Sequence, residues 1–391
     1  MLAHSPPLPL VLDYARERPD ITTDDEEGIL LALSQRDRVL RIRLNPITVT
    51  GQQKFIVAMD GEYPILKYLV IVFPIEDTST ILMFPETLQA PHLRHLRLIG
   101  FALPIGSRLL STAVGLVTLS LVMVHPSTYL HPNTLLQWIS LMPQLETLVI
   151  FFRFSIPNRD VERQLTQTPT ITPVTLPNLR RFRFDGVSTY LEALVPRITT
   201  PRLEKLRIFF FNQLIFSVPR LLQFINTAEN FRFDSAKFEF FSNGVNVEVR
   251  PREEAETHTL HIGVLCWHLD WQVSSMAQIS KSLSQIFSAV EHLTLEHEAH
   301  SQSSEEHDEV DHTEWRNLLR PFKNVKTLRV EDELVEELSC CLELEDGELP
   351  LELLPELQEL TYSGSGDTSD AFTSFIDARL NAGRPVTLVR S

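Results

Sequence analysis

Cysteine is scarce in this chain: three in 391 residues, at Cys266, Cys340 and Cys341, with no Cys-x-x-Cys pair. An odd and sparse set, two of them adjacent, excludes the disulfide framework of a small secreted domain and points to a reducing compartment, cytoplasm or nucleus. Long apolar runs are missing too. The longest weakly polar stretch, Leu109–Val124, covers 16 residues and is interrupted by Ser111, Thr112, Thr118 and Ser120, short of the ~20 apolar residues that a membrane span needs. The opening stretch MLAHSPPLPLVLDYARERPD has no basic leader and no cleavage site after an apolar core, so neither a signal peptide nor a membrane partner is expected. Catalytic signatures are also wanting. No GxSxG or HExxH occurs, and Gly364-Ser365-Gly366 lacks the lysine and the serine or threonine of a phosphate loop. The expectation is a non-enzyme with no cofactor and no resident metal.

Basic charge is short in the later part of the chain. Residues 253–391 hold 9 lysines and arginines against 28 acids, whereas residues 1–252 hold 26 against 23, for an overall net charge of −16. That balance excludes a general nucleic-acid binder but leaves room for a local basic patch in the first part.

What is present is an apolar phrase that recurs about a dozen times. It reads PHLRHLRL at 91–98, MPQLETLVI at 142–150, LPNLRRFRF at 176–184, PRLEKLRI at 201–208, NVKTLRV at 324–330 and LPELQEL at 354–360. The middle apolar positions are Ile42, Leu69, Leu96, Leu119, Leu148, Phe182, Leu206, Phe231, Leu260, Leu293, Leu328 and Leu360, spaced 23 to 35 residues apart. LxxLxL at such intervals is the mark of leucine-rich repeats, whose units stack because none can bury its apolar face alone. The fold class expected is therefore α/β, a leucine-rich-repeat solenoid (horseshoe) of about twelve irregular repeats. Between the strands, helices are expected after Asn133 or Thr134, over Pro219–Ile225, over Ser274–Val290 with its apolar spacing of Met276, Ile279, Leu283, Ile286 and Phe287, and over Thr313–Leu319.

The organisation that follows is an irregular N-terminal segment or partial cap over 1–30 and a repeat domain over 31–391. Within the latter, Val161–Val174 reads as a long Thr- and Pro-rich loop. His297–Glu314, acidic and without lysine or arginine, reads as a disordered insertion.

In LxxLxL the apolar residues enter the core, so the positions flanking the middle one face outward on the strand side. These are Arg41/Arg43, Tyr68/Val70, His95/Arg97, Thr118/Ser120, Thr147/Val149, Arg181/Arg183, Lys205/Arg207, Asn230/Arg232, Thr259/His261, His292/Thr294, Thr327/Arg329 and Glu359/Thr361. Arg181, Arg183, Lys205, Arg207 and Arg232 come from three successive phrases and are expected to form one basic patch. Guanidinium forks suit carboxylates and phosphates, so the partner expected is a protein substrate or an acidic or phosphorylated peptide. The bland alternative is that exposed strand positions tolerate long charged side chains. The acidic run Glu331–Glu348, with nine carboxylates, is a solvated surface or a neutralising tail.

Two further clusters of potentially reactive side chains occur in the sequence. His297, His300, His307 and His312 lie in low-complexity polar sequence that offers a metal no fixed geometry. Cys266 and His268 are two residues apart, but no spacing rule makes them a nucleophile and base. Strand alternation with an aromatic patch at Trp267 and Trp271 accounts for the same residues more simply.

The phrases PHLRHLRL, LPNLRRFRF, PRLEKLRI, AVEHLTLEH and NVKTLRV, with their irregular spacing, resemble the leucine-rich regions of fungal (mushroom-type) F-box proteins, and the resemblance covers the chain from about residue 6 onward. It implies the substrate-binding region of a ubiquitin-ligase receptor, with the outward strand positions facing the substrate. A cullin-ligase adaptor would be a partner only through an F-box, and no F-box helices precede Pro6. A free-standing scaffold or competitive binder is the alternative, and a cysteine-dependent enzyme the remote one.

Overall fold

Alternating apolar residues in most of the recurring phrases build short strands whose buried sides line up. The computed structural model describes residues 8–14, 23–44, 49–72, 82–104, 106–124, 130–152, 173–228, 231, 233–251, 258–297, 311–343, 352–363 and 371–390. They belong to two units, Met1–Leu203 and Glu204–Ser391.

In the first unit the strands are β1 (Leu10–Tyr14), β2 (Val39–Leu44), β3 (Tyr68–Val72), β4 (Leu82–Met83), β5 (His95–Ile99), β6 (Phe101–Ala102), β7 (Thr118–Val124), β8 (Thr147–Phe152), β9 (Val174–Thr175), β10 (Arg181–Gly186) and β11 (Ile198–Thr199). Seven of them form a parallel array in the order β1-β2-β3-β5-β7-β8-β10, while β4–β6 and β9–β11 are small separate pairs. Parallel neighbours need crossover segments, which carry helices α1 (Thr23–Ser34), α2 (Val49–Ala58), α3 (Arg108–Thr112), α4 (Pro132–Ser140) and α5 (Ser188–Leu194). Thus β1 and most of α1 lie in the stretch read as irregular from sequence, and β1 pairs with β2.

Register is continuous through the middle of this unit, with shifts at Leu10/Val11 and Val122/Val124. Ile42, Leu69, Leu96, Leu119, Leu148 and Phe182 stand in one cross-strand row, and all are buried. The crossovers lock onto that core. Tyr190 of α5 lies 4.8 Å edge-on from Phe152 and stacks at 5.6 Å on Phe184, and its hydroxyl donates to Leu130 O at 2.8 Å. Helix α4 starts at Pro132, where a missing N–H costs nothing. His131 Nδ1 caps it by accepting from Asn133 N–H at 3.2 Å, a role that fits an imidazole held neutral by burial and by nearby Arg197.

The second unit is built differently. Its strands are β12 (Lys205–Phe211), β13 (Ser235–Phe241), β14 (Gly244–Arg250), β15 (Thr259–Leu265), β16 (His292–His297), β17 (Thr327–Val330), β18 (Glu359–Tyr362) and β19 (Thr387–Arg390). Its helices are α6 (Pro219–Thr227), α7 (Leu269–Ser282), α8 (Ser284–Phe287), α9 (His312–Leu319), α10 (Val335–Leu342) and α11 (Thr373–Asn381). Strand order is β12-β15-β14-β13-β16-β17-β18-β19. β13 and β14 form an antiparallel hairpin, β14 is antiparallel to β15, and the remaining pairs are parallel.

This mixed, out-of-order sheet corrects the expected leucine-rich-repeat horseshoe of about twelve repeats: the chain is an irregular α/β protein with mixed strand topology. Phe231, the centre of one expected phrase, is in no strand, and its neighbours Asn230 and Arg232 lie outside the described residues. Leu206 pairs directly with Leu260, leaving no strand between them, and β13 lies instead between β14 and β16, where Ala236 pairs with Leu293. The reason is local. Ser235–Phe241 and Gly244–Arg250 both alternate with period two, and the two residues between them make a tight hairpin connection. Gly244 is required there, because a Cβ would come within 2.6 Å of the Val264 carbonyl oxygen. The hairpin supplies Phe238 and Phe240 to an aromatic core. Phe238 packs against Phe287 and Phe322 at 6.3 and 5.9 Å, and Phe240 lies 5.4 Å edge-on from Trp315.

Helix α9 begins at His312, capped by the Asp311 carboxylate, which accepts from Thr313 N–H at 2.9 Å. Most of the acidic insertion expected over 297–314, and most of the loop expected over 161–174, lie outside the described residues. Gly364–Gly366 lie outside them as well.

Candidate functional site

On the face opposite its core, the first unit presents three cross-strand rows. The first runs Val11, Arg41, Tyr68, His95, Thr118, Thr147, Arg181. The second runs Asp13, Arg43, Val70, Arg97, Ser120, Val149, Arg183. The third runs Val72, Ile99, Val122, Phe151, Asp185. Arginine supplies five of these side chains and aspartate two, so the rows are net positive within a strongly acidic protein.

The arginines are not equivalent. Arg41 and Arg43 share Asp13, at 3.4 and 4.0 Å, and Arg41 lies 4.4 Å over the Tyr68 ring. Arg183 is committed to Asp185, a carboxylate only 3 % exposed, through a two-pronged contact of 2.8 and 2.7 Å. That hydrogen bonding raises the Arg183 pKa against the opposing effect of burial. Arg181 is exposed and donates to Thr147 Oγ1 at 3.1 Å. Arg97 is exposed, and neither Arg97 nor Arg181 has a carboxylate partner among the described residues. His95 is half-buried and shares a hydrogen bond with Thr118 at 3.2 Å.

The third row adds something the sequence reading passed over. Val72, Ile99, Val122 and Phe151 are partly exposed and form an apolar strip beside the arginines. They lie one alternation step, two residues, beyond Val70, Arg97, Ser120 and Val149, outside the pair that flanks each middle apolar residue, and strand periodicity is the signal that reaches them.

In the second unit the corresponding face largely neutralises itself. Lys237 pairs with Glu239 and Glu296 at 2.8 and 2.6 Å, Arg250 with Glu248 at 3.8 Å, and Arg329 with Glu331 at 3.9 Å. Lys205 and Arg207 are exposed on β12, and Arg207 lies over the Phe209 ring at 4.8 Å. His261, the cross-strand partner of Arg207, is half-buried and 5.8 Å from the same ring. The patch expected from three successive phrases is therefore distributed: Arg181 and Arg183 belong to the first unit, Lys205 and Arg207 to the second, and Arg232 lies outside the described residues.

Trp267 and Trp271 are 76 % and 53 % exposed, and His268 sits edge-on to Trp271 at 5.4 Å. Cys266 is buried, and its thiol is pushed up to about 12 by burial, with the Asp270 charge adding to the effect. Gln272 ties this corner by donating to the Phe241 and Cys266 carbonyls at 2.7 and 3.1 Å. Of the histidine cluster, His297 and His312 are described and His300 and His307 are not. Among the described residues no group of three or more His, Cys, Asp and Glu could hold a metal ion, and no helix is long and apolar enough to cross a membrane.

No protein-family model matches the sequence, and no curated protein is similar to it. With the mixed sheet, this overturns the resemblance to fungal F-box leucine-rich-repeat proteins. The ubiquitin-ligase receptor function and cullin-adaptor partner, which rested on that resemblance and on a repeat horseshoe, fall with it.

Proposed function

We propose that this chain is a non-catalytic binding protein whose first-unit sheet face takes an extended acidic or phosphorylated segment of a partner protein. The observation that carries this reading is the placement of exposed Arg97 and Arg181, without carboxylate partners among the described residues, beside the apolar strip Val72–Ile99–Val122–Phe151. Guanidinium groups pair bidentately with carboxylate or phosphate, and the strip offers apolar contact to the other edge of the same ligand.

Spacing supports an extended ligand. Neighbouring strands lie about 4.8 Å apart, so Arg97 and Arg181, three strands apart and offset by two residues along them, stand about 16 Å from each other at the backbone. Same-side residues i and i+4 of an extended peptide are separated by about 14 Å, a span that two long arginine side chains can match. Partner and compartment belong to the same proposal: a protein ligand rather than a nucleic acid or a membrane, met in the reducing cytoplasm or nucleus. The buried, proton-holding thiol of Cys266 favours a structural over a nucleophilic role.

The test is a fluorescence-anisotropy titration of the whole chain with a peptide carrying phosphoserines at i and i+4 and a leucine between them, alongside its unphosphorylated and lysine-substituted forms. Saturable binding of the phosphorylated form, weakening as salt rises, is expected. Equal binding of all three forms would remove the reading.

A further inference from the structure

The helical layer of the second unit carries a second surface whose features have no role in the sheet-face reading. Between α7 and α9 runs a groove of about 410 Å³, whose lining includes Ala277, Gln278, Lys281, Asn317, Arg320 and Lys323. Only 9 lysines and arginines occur in residues 253–391, and three of them meet here, against a single lining carboxylate, Glu314. Lys281 and Lys323 are exposed and have no carboxylate partner among the described residues, while Arg320 pairs with Glu352 at 3.3 Å across an exposed edge. The groove is thus a positive site on the most acidic part of the chain.

Exposed apolar side chains flank it. Leu214 and Ile215 are 95 % and 75 % exposed, yet their loop is pinned. Phe216 N–H donates to Gln278 Oε1 at 2.9 Å, and Gln278 Nε2 donates to Leu214 O at 3.4 Å. Gln278 lines the groove, so the loop is fixed at its rim. Trp271 lies seven residues before Gln278 on α7, two helical turns along the same face with Ser274 between. Large apolar groups held out to water beside a charged groove mark an interaction surface rather than a scatter of surface residues.

We infer that this groove, with its Trp271 and Leu214–Ile215 rims, is the docking site for an acidic amphipathic segment of a partner protein. Its carboxylates would lie on Lys281, Arg320 and Lys323, and its apolar side chains on the two rims. Charge complementarity selects an acidic occupant. The apolar rims select a peptide over a bare anion, which would leave Trp271, Leu214 and Ile215 uncovered.

The experiment selects random dodecapeptides displayed on phage against the whole chain, then measures the enriched peptides by anisotropy. Three variants are compared with wild type: K281E/R320E/K323E, L214S/I215S and R97E/R181E, each checked by circular dichroism for retained fold. Enriched peptides are expected to combine Asp or Glu with Leu, Phe or Trp. Peptides that bind R97E/R181E as tightly as wild type report on the groove rather than the sheet face, and their affinity should fall by about tenfold or more in the first variant and several-fold in the second. The R97E/R181E variant separates this site from the sheet face, so either reading can fail alone. Enriched peptides without acids, or peptides that bind the groove variants as well as wild type, would overturn the inference. So would complete displacement by inorganic phosphate, which would make the groove a small-anion site.

Discussion

Cys266 should be the slowest of the three thiols to react, by a margin the structure lets us work out. Its sulfur is buried, and desolvation pushes its pKa up to about 12, with the Asp270 charge acting in the same direction. At pH 8 an ordinary thiol near 9 is about one-tenth thiolate, whereas one near 12 is about one part in 10⁴, so ionisation alone slows alkylation about 10³-fold. Steric protection slows it further. Cys340 is exposed on α10, and its neighbour Cys341 is buried. Time-resolved peptide mass spectrometry of the native chain in iodoacetamide at pH 8 should show Cys340 labelled first and Cys266 essentially untouched until denaturant is added. If Cys266 is labelled in the folded protein within about tenfold of the Cys340 rate, the burial argument is wrong and a nucleophilic role for Cys266 becomes tenable.

The same protonated groups set an alkaline limit. A raised folded-state pKa means the folded protein keeps a proton that the unfolded chain gives up. Stability is therefore intact below the ordinary value and is lost between about pH 9 and 12 for Cys266 and between about pH 10 and 12 for Tyr63. Urea midpoints taken from pH 8 upward should fall, and C266A and Y63F should each flatten the slope. Arg379 is fully buried and donates to the Leu354, Pro355 and Leu357 carbonyls at 3.2, 3.0 and 3.1 Å. R379A should cost about 3–5 kcal/mol in denaturant unfolding, since it orphans three acceptors at once. At Gly244 an alanine Cβ has backbone oxygen 2.6 Å away, so G244A should cost about 1–3 kcal/mol. An unchanged melting temperature for it would contradict the close approach. Leu206→Asp places an unpaired charge in a buried position and should leave the second unit unfolded by circular dichroism.

Strands were far easier to read from the sequence than the way they are joined. Apolar residues such as Leu69, Leu96 and Leu148 sit at the buried centres of their phrases, and burial forces one register upon them. The hairpin escaped because Phe231 and its neighbours imitate the phrase at a suitable interval. Two alternating segments separated only by Ser242–Asn243 were the signal that pointed to it. At the site, the arginine positions were legible but their partners were not. Asp185 sits in the same strand as Arg183, and Asp13 lies far from Arg41 in sequence, so only folding reveals which guanidinium is committed and which is available. The exposure of Leu214 and Ile215 was hidden for a simpler reason: in a chain this rich in aliphatic core, apolar residues read as interior until a structure places them outside.

The central claim is that the first-unit sheet face recognises an acidic partner through Arg97 and Arg181. Its most direct test compares R97E/R181E with K205E/R207E, an equal charge change on the second unit, in the anisotropy titration with the doubly phosphorylated peptide. R97E/R181E should abolish binding while K205E/R207E stays within about twofold of wild type, both remaining folded. Equal losses in the two variants would show that net charge alone drives the association, and no loss in R97E/R181E would show that the sheet face is not the binding site.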